Sequence, residues 1–381
     1  MNAKKTNIVV TGGSLNALGV LRSLKNHHLT LLCDEKTSPA WHSRYIQKKV
    51  RSRNTKTVDV VSDLLQLGTS FANAEKPLLF LTEEKTVLQV SLHRHELEPY
   101  FRFLFPSHDL LTALQSKSDF QRLAEQSNSP IPKAVILRGQ TDVSNCEQLQ
   151  FPCVLKPLEQ NERYSQQFKK AYKVASLDEV SNLYSEIITV MPDMIVQEWI
   201  EGDDSDIYFC LAWFDEHSEL VHSFTGRKIR SWPRHVGGTA ACTSAPEVHE
   251  ELSKLTAQFV HSCGYVGLMG MEFKYDKNRA GFFMIEPTVG RTDYQHEIAT
   301  LSGHNFLASI AAYFNGESLP KPRAVRPIIW QDDVANANAI ANGAPQNLFA
   351  ERQKISALWR WSDPAPSIAY FFQRIRRKLR G

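Results

Sequence analysis

Between Leu268 and Arg291 the chain reads LMGMEFKYDKNRAGFFMIEPTVGR, and this stretch restricts the fold more than any other. Two short apolar runs, LMGMEFKY and GFFMIEP, flank the polar turn DKNRA, a pattern that predicts a β-hairpin. Each run holds one acid, Glu272 in the first and Glu286 in the second. Strands paired across that turn can project both carboxylates from one face at one end. A carboxylate inside an apolar strand costs several kcal/mol unless positive charge meets it. A divalent cation answers two such acids at once. Hard oxygen ligands suit Mg²⁺, which takes one or two carboxylates and completes its shell with water and phosphate oxygens. Alone, the hairpin reads rather as two edge-strand glutamates pointing into solvent, and it is the rest of the chain that reverses this.

A chain of 381 residues is too long for one compact core and predicts two or three domains. Its 42% hydrophobic and 22% charged residues exclude global disorder. No apolar run approaches the length of a membrane span. The N-terminus, MNAKKTNIVVTGG, enters a strand and a glycine turn with no apolar signal core before it. Six scattered cysteines without a CxxC pair read as isolated buried thiols in a reducing cytoplasm. The net charge of +3 hides an asymmetry, because residues 351–381 carry eight Lys/Arg against two acids. The body is therefore slightly acidic, which argues against a nucleic-acid partner.

In chain order, NIVVT (7–11) predicts a buried strand, LNALGVLRSL a helix with leucines at helical spacing, and LTLLCDE a second strand. This β-α-β start implies a parallel, Rossmann-like sheet. The glycines run GGSxxxxG rather than GxGxxG, so the dinucleotide fingerprint is absent and NAD is not expected. PLLFLTEE (77–84) is a further strand, and the pattern changes after Pro106. HDLLTALQSKSDFQRLAEQ reads as one helix, AVIL and FPCVLKP as strands, and Ser176 with Glu179 as a helix-starting capping box. MIVQEWIEGDDSDIYFCLAWF is a strand, a glycine turn and a strand. SFTGRKIRSWPRHVGGTAACTS, rich in Arg and Gly, reads as a mobile loop. HEELSKLTAQFVHSCG is an amphipathic helix ended by Gly264. The hairpin follows, then a helix over Gly303–Asn315, and residues 330–365 read as a loosely ordered connector.

The order of these parts resembles the ATP-grasp superfamily, and more narrowly its carboxylate–amine ligase branch of D-aspartate ligase-like proteins. The resemblance rests on the lysine-bearing helix with Lys117, VLKP with Lys156, VQEWIEG (196–202), the basic glycine loop, GYVGLMGMEF (264–273) and IEPTVGR (285–291). It implies an α/β (α+β) chain. A Rossmann-like pre-ATP-grasp domain (1–106) is followed by a two-lobed ATP-grasp domain (107–325). A connector with a basic amphipathic C-terminal helix (326–381) ends it. It also implies ATP and Mg²⁺.

By that resemblance Lys117 and Lys156 hold phosphates or the adenine edge, with Lys170 and Lys173 as weaker candidates. A lysine is a compact point charge suited to a triphosphate. Glu198, Trp199 and Ile200 would meet adenine through backbone groups. Glu201, Asp203, Asp204 and Asp206 are ribose candidates, with a solvated acidic turn the reading for at least two of the four. Glu272 and Glu286 correspond to the Mg²⁺ ligands. The usual E-x-N-P-R becomes Glu286-Pro287-Thr288-Val289-Gly290-Arg291, so Thr288 stands where an amide ligand is expected and Arg291 comes one residue late. In the loop Gly226–Gly238, Arg227, Lys228, Arg230 and Arg234 read as lid cations that neutralise a transferring phosphoryl group, the alternative being a solvated basic loop. His235 is a further acid–base candidate there.

The implied reaction is ATP-dependent amide formation through an acyl phosphate, with small-molecule or glycan carboxylates and amines as substrates. Envelope polysaccharide or amino-acid modification would be its setting. The rivals are a carboxylase acting through carboxyphosphate and a non-catalytic nucleotide-binding scaffold. A homodimer in the cytoplasm is expected. The C-terminal helix spaces Ile368, Phe371, Phe372, Ile375 and Leu379 on one stripe with arginines opposite. It reads either as peripheral contact with the inner face of a membrane or as a helix docked on the body.

Overall fold

The β-branched run NIVVT forms strand β1 (Asn7–Thr11), which the leucine-spaced helix Leu15–Ser23 joins to β2 (His28–Cys33). The computed structural model describes residues 4–159, 162–235, 237–321 and 323–380. Strands β3 (Ile46–Arg51) and β4 (Leu78–Phe80) complete a parallel sheet in the order β3-β2-β1-β4. The expected Rossmann-like start is present. Strand β3, IQKKVR, gave no sequence signal because only its flank against β2 is covered and its lysines face water.

The expected single helix after Pro106 is two, His108–Gln115 and Lys117–Gln126. Ser116 breaks the run: its backbone is extended and its hydroxyl accepts from Asp119 N, capping the second helix. Four strands then build a small antiparallel sheet: β5 (Ala134–Leu137), β6 (Cys153–Pro157), β7 (Tyr172–Val174) and β8 (Met194–Glu198), ordered β5-β8-β6-β7. The helix Leu177–Ile187 covers it. Ser176 caps that helix by accepting from Glu179 N, and Glu179 Oε2 reaches back to Ala175 N at 2.6 Å. Leu155, Val180, Tyr184, Ile187 and Val196 give this sheet a core of its own.

The third sheet has seven strands: β9 (Ile207–Phe214), β10 (Leu220–Trp232), β11 (Gly238–Ser244), β12 (Gly267–Asp276), β13 (Gly281–Val289), β14 (Ile328–Gln331) and β15 (Gln353–Ser356). Its order is β13-β12-β9-β10-β11-β14-β15. The helix His249–Cys263 packs on it and ends at Gly264, whose φ of 65° is the left-handed conformation glycine adopts without strain. Its other face shares a core with the first sheet, in which Ile8, Leu18 and Leu31 join Phe209, Trp213 and Trp330.

Two expectations fail here. The basic Gly226–Gly238 stretch is not a mobile loop, because residues up to Trp232 belong to β10 and pair with β11, Gly226 and Arg227 pairing with β9 as well. Its cations are tolerated in a buried strand because each has a partner. Lys228 meets Glu272, Arg230 Nε donates to Asn336 Oδ1 at 2.6 Å, and Arg227 pairs with Asp206. Only the tip, Pro233 to Gly237, remains a turn, and Val236 lies outside the described residues. Likewise 330–365 is no loose connector: β14 and β15 extend the large sheet, and Asp332 caps the helix Asp333–Ala341. These strands are too short to show a period, and their order comes from β14 pairing with β11 and β15 with β14.

Candidate active site

The hairpin forms as the pattern predicts. Strands β12 and β13 pair across the turn Lys277–Ala280, with Glu272 directly opposite Glu286 and Gly270 opposite Thr288. Directly paired residues share a face, so both carboxylates project to one side, with Thr288 two residues along on the same face. That side looks across a cavity of about 480 Å³ toward the small sheet. Lys117, Lys156, Glu198, Trp199 and Ile200 line it from the small lobe, and Lys228, Glu272, Glu286, Thr288 and Arg291 from the large sheet.

The lysines are positioned by backbone and amide oxygens. Lys117, the first residue of its helix, donates to the carbonyls of Pro157 and Leu158 at 2.9 and 2.8 Å. Lys156, near the end of β6, donates to Gln197 Oε1 at 3.1 Å, and Gln197 is held in turn by Gln121 Oε1 at 3.0 Å. Burial pulls the Lys156 ammonium down to about 8, opposed by the Glu286 carboxylate. Burial also lowers Lys117, again against Glu286. Across the cavity, Lys228 Nζ lies 2.6 Å from Glu272 Oε2, with both side chains largely buried. Burial works against the Lys228 charge, yet the Glu272 carboxylate holds it above its ordinary range. Burial raises Glu272, and Lys228 offsets part of that.

Glu286 differs. Among the described residues no hydrogen bond or ion pair ties its side chain to the protein, and it opens into the cavity. The donor set of two carboxylates and a hydroxyl suits a hard cation. No group of three or more His, Cys, Asp or Glu among the described residues could hold a metal by itself. A cation here would therefore need further oxygens from water and phosphate, as Mg²⁺ does.

Other sequence candidates lie apart from the cavity. Asp204 accepts from the N–H groups of Ser231 and His235 at 2.9 and 3.0 Å, clasping the β10–β11 turn. Asp206 pairs with Lys277 at 2.8 Å and Arg227 at 3.6 Å. Glu201 is exposed and paired with Lys173 at 2.5 Å. Asp204 and Asp206 are thus held by protein partners and do not line the cavity. Arg227 stacks on Tyr208 and Phe349 and donates to Ser205 O, and Arg234 donates to Asn342 O at 3.1 Å. Neither lines the cavity, so neither is placed as a lid cation. His235 sits at the rim.

At the hinge, Glu198 N–H and Trp199 N–H go to the carbonyls of Lys133 and Pro152 at 2.9 and 3.0 Å. The Glu198 carboxylate is turned to Arg279 at 3.1 Å. Lys173 and Lys274 lie over the Trp199 ring at 5.0 and 4.9 Å.

One cavity acid gave no motif. Asp293 lines the cavity beside Arg291, accepting from Tyr294 N at 2.8 Å and Gln295 Nε2 at 3.2 Å. Burial raises its carboxyl, against the pull of Arg291. A Cβ on Gly270 would stand 3.0 Å from Asp293 Oδ2, so glycine makes room for this carboxylate. The available signal was that glycine, isolated inside a strand where another group approaches closely.

Comparison with known proteins bears on this geometry. No family model matches the chain. A D-aspartate ligase from Enterococcus faecium (strain Aus0004) is 25% identical over 314 residues, covering 78% of this chain and 74% of that protein. Biotin carboxylase from Campylobacter jejuni, solved as an ATP-analogue complex, superposes with a TM-score of 0.65 at 16% identity, covering 86% of this chain and 76% of its own. N5-carboxyaminoimidazole synthetase from Staphylococcus aureus gives 0.64 at 14% identity, covering 92% and 88%. The chain is thus similar in sequence to a D-aspartate ligase and shares the fold of these solved enzymes. Its mixed α/β architecture, a parallel sheet followed by two further sheets, is the fold it shares with these structures.

Proposed function

We propose that the chain is an ATP-dependent carboxylate–amine ligase, an ATP-grasp enzyme forming carbon–nitrogen bonds with ATP and Mg²⁺. The observation that carries the reading is the Glu272–Glu286 pair facing Lys117 and Lys156 across one cavity. Mg²⁺, when bound, would be held by Glu272 and Glu286, with Thr288 beside them, and would neutralise phosphate oxygens of ATP. Lys117 and Lys156 hold the phosphates, and the hinge at Glu198–Ile200 borders the adenine. Lys228 and Arg291 supply fixed positive charge where the phosphoryl group moves. The substrate carboxylate attacks the γ-phosphorus and ADP leaves. The amine then attacks the acyl phosphate, inorganic phosphate leaves, and the nitrogen loses its proton. No enzyme nucleophile is needed, so catalysis is positioning and charge neutralisation.

The substrates are small-molecule or glycan carboxylates and amines, in amino-acid or envelope polysaccharide modification, and the protein works as a homodimer. Placement against the inner face of a membrane belongs to the same proposal. No helix among the described residues is long and apolar enough to cross one.

The test is hydroxylamine trapping across a panel of carboxylic acids, with ATP and Mg²⁺ and mass-spectrometric detection. One acid should give a hydroxamate together with ADP. ADP release that depends on bicarbonate without added amine would point instead to carboxyphosphate chemistry. ATP binding without turnover across the panel would favour the scaffold.

A second expectation concerns pH. Free Lys156, at about 8, loses its charge as pH rises through that value. Phosphate oxygens raise it, so ATP binding near pH 8 takes up protons and weakens above it. Titration calorimetry in buffers of different ionisation enthalpy reads the uptake. Lys156→Met should abolish it, and buffer-independent heats for the unaltered protein would contradict the phosphate role.

A further inference from the structure

The C-terminal helix, Ala365–Arg380, leaves an apolar stripe uncovered. Ile368, Phe371, Phe372 and Ile375 are 48%, 62%, 57% and 38% exposed, and their spacing puts them on one face. The helix is not a free tail. It packs on residues 39–42, Ser367 Oγ donates to Leu358 O at 2.9 Å, and Asp363 just before it is fully buried. The body thus holds one end while the aromatic stripe faces outward. Trp361, 86% exposed, and Trp359 stand at the helix entry in edge contact, rings 5.2 Å apart. Arg374 and Arg376 are exposed, and helical spacing sets them on either side of the stripe. The sequence adds Arg377, Lys378 and Arg380, with no acid after Asp363. Leu379, expected to continue the stripe, has its side chain outside the described residues.

We infer that this helix is a docking element for an anionic lipid surface. Phe371 and Phe372 enter the acyl boundary, the arginines meet lipid phosphates, and Trp359 and Trp361 lie at headgroup level. The charge decides the occupant. Two copies of this helix packed stripe to stripe would bring ten cations together with no acid between them. A neutral apolar partner would leave the arginines unused. The inference rests on the membrane placement proposed above but not on the ligase chemistry, since vesicle binding and ADP formation are separate measurements.

The test is co-sedimentation of the full chain with phosphatidylcholine vesicles and with vesicles of phosphatidylcholine mixed with phosphatidylglycerol. Binding should be about tenfold or more stronger to the mixed vesicles and should fall with added salt. A Phe371→Ser/Phe372→Ser double variant should stay in the supernatant, with unchanged circular dichroism and thermal midpoint because these rings are exposed. Arg374→Glu/Arg376→Glu should lose the preference for phosphatidylglycerol. The inference is overturned if the full chain ignores the mixed vesicles, if it binds phosphatidylcholine alone equally well, or if the serine variant still pellets. Self-association that the serine variant abolishes, without vesicle binding, would give the stripe to a second copy instead.

Discussion

Glu286→Gln is expected to lose ADP formation by a factor of about 10² to 10³ or more while the protein stays folded. The fold should survive because no protein group depends on this carboxylate for a hydrogen bond or ion pair among the described residues. Glutamine keeps its shape and its place opposite Glu272. What is lost is one of two anionic oxygen donors, together with the field that supports the lysines opposite. Glu286 opposes the burial that depresses both Lys117 and Lys156, so their ammoniums should titrate lower still in the variant. The measurement is a coupled ADP assay at saturating ATP and Mg²⁺, beside a thermal melt. Glu272→Gln serves as the contrast. It strands Lys228, which is buried and bonded to that carboxylate at 2.6 Å, so activity and melting temperature should fall together. Glu286→Gln with full activity would remove the metal assignment and leave the nucleotide reading on the lysines alone.

How much of this was legible in the sequence follows from where each residue finds its partner. The hairpin could be read because its signal is local, with two apolar runs, a polar turn and an acid in each strand. The Ser176 cap and the Gly264 terminus are local in the same way. The β10–β11 hairpin could not be read, because Arg and Lys in a buried strand make sense only beside Glu272, Asn336 and Asp206, all distant along the chain. Asp204 and Asp206 looked like free acids for the opposite reason, since the groups that bind them are loop N–H groups and cations with no sequence mark. Asp293 has no motif at all. Its place beside Gly270 exists only once β12 is laid against the segment after β13.

The same distance between partners sets the largest expected loss of stability, at Asp363. This carboxylate is fully buried, and the segment carrying it read as part of a loose connector. Its Oδ2 lies 3.1 Å from Arg22 Nε and accepts from Ser43 Oγ at 2.9 Å, while Oδ1 accepts from Arg44 N at 2.9 Å. Arg22 also donates to the carbonyls of Ala357 and Leu358, at 2.7 and 2.9 Å. One guanidinium therefore ties the end of the chain to the helix after β1. Asp363→Ala leaves that guanidinium buried without a counter-charge and strips the Ser43 and Arg44 donors of their acceptor. Breaking a buried pair from one side costs about 3–5 kcal/mol. Urea unfolding should show a loss of that size as a lowered midpoint. Asp363→Asn, which keeps an oxygen for Ser43 or Arg44, should lose less. A Arg22→Met/Asp363→Leu double variant separates charge from packing, because removing both ions leaves no stranded charge. It should be more stable than Asp363→Ala alone. If Asp363→Ala unfolds within about 1 kcal/mol of the unaltered protein, the latch contributes no more than an exposed ion pair. The C-terminal helix would then be held by the Leu358 and Pro364 carbonyls at its start.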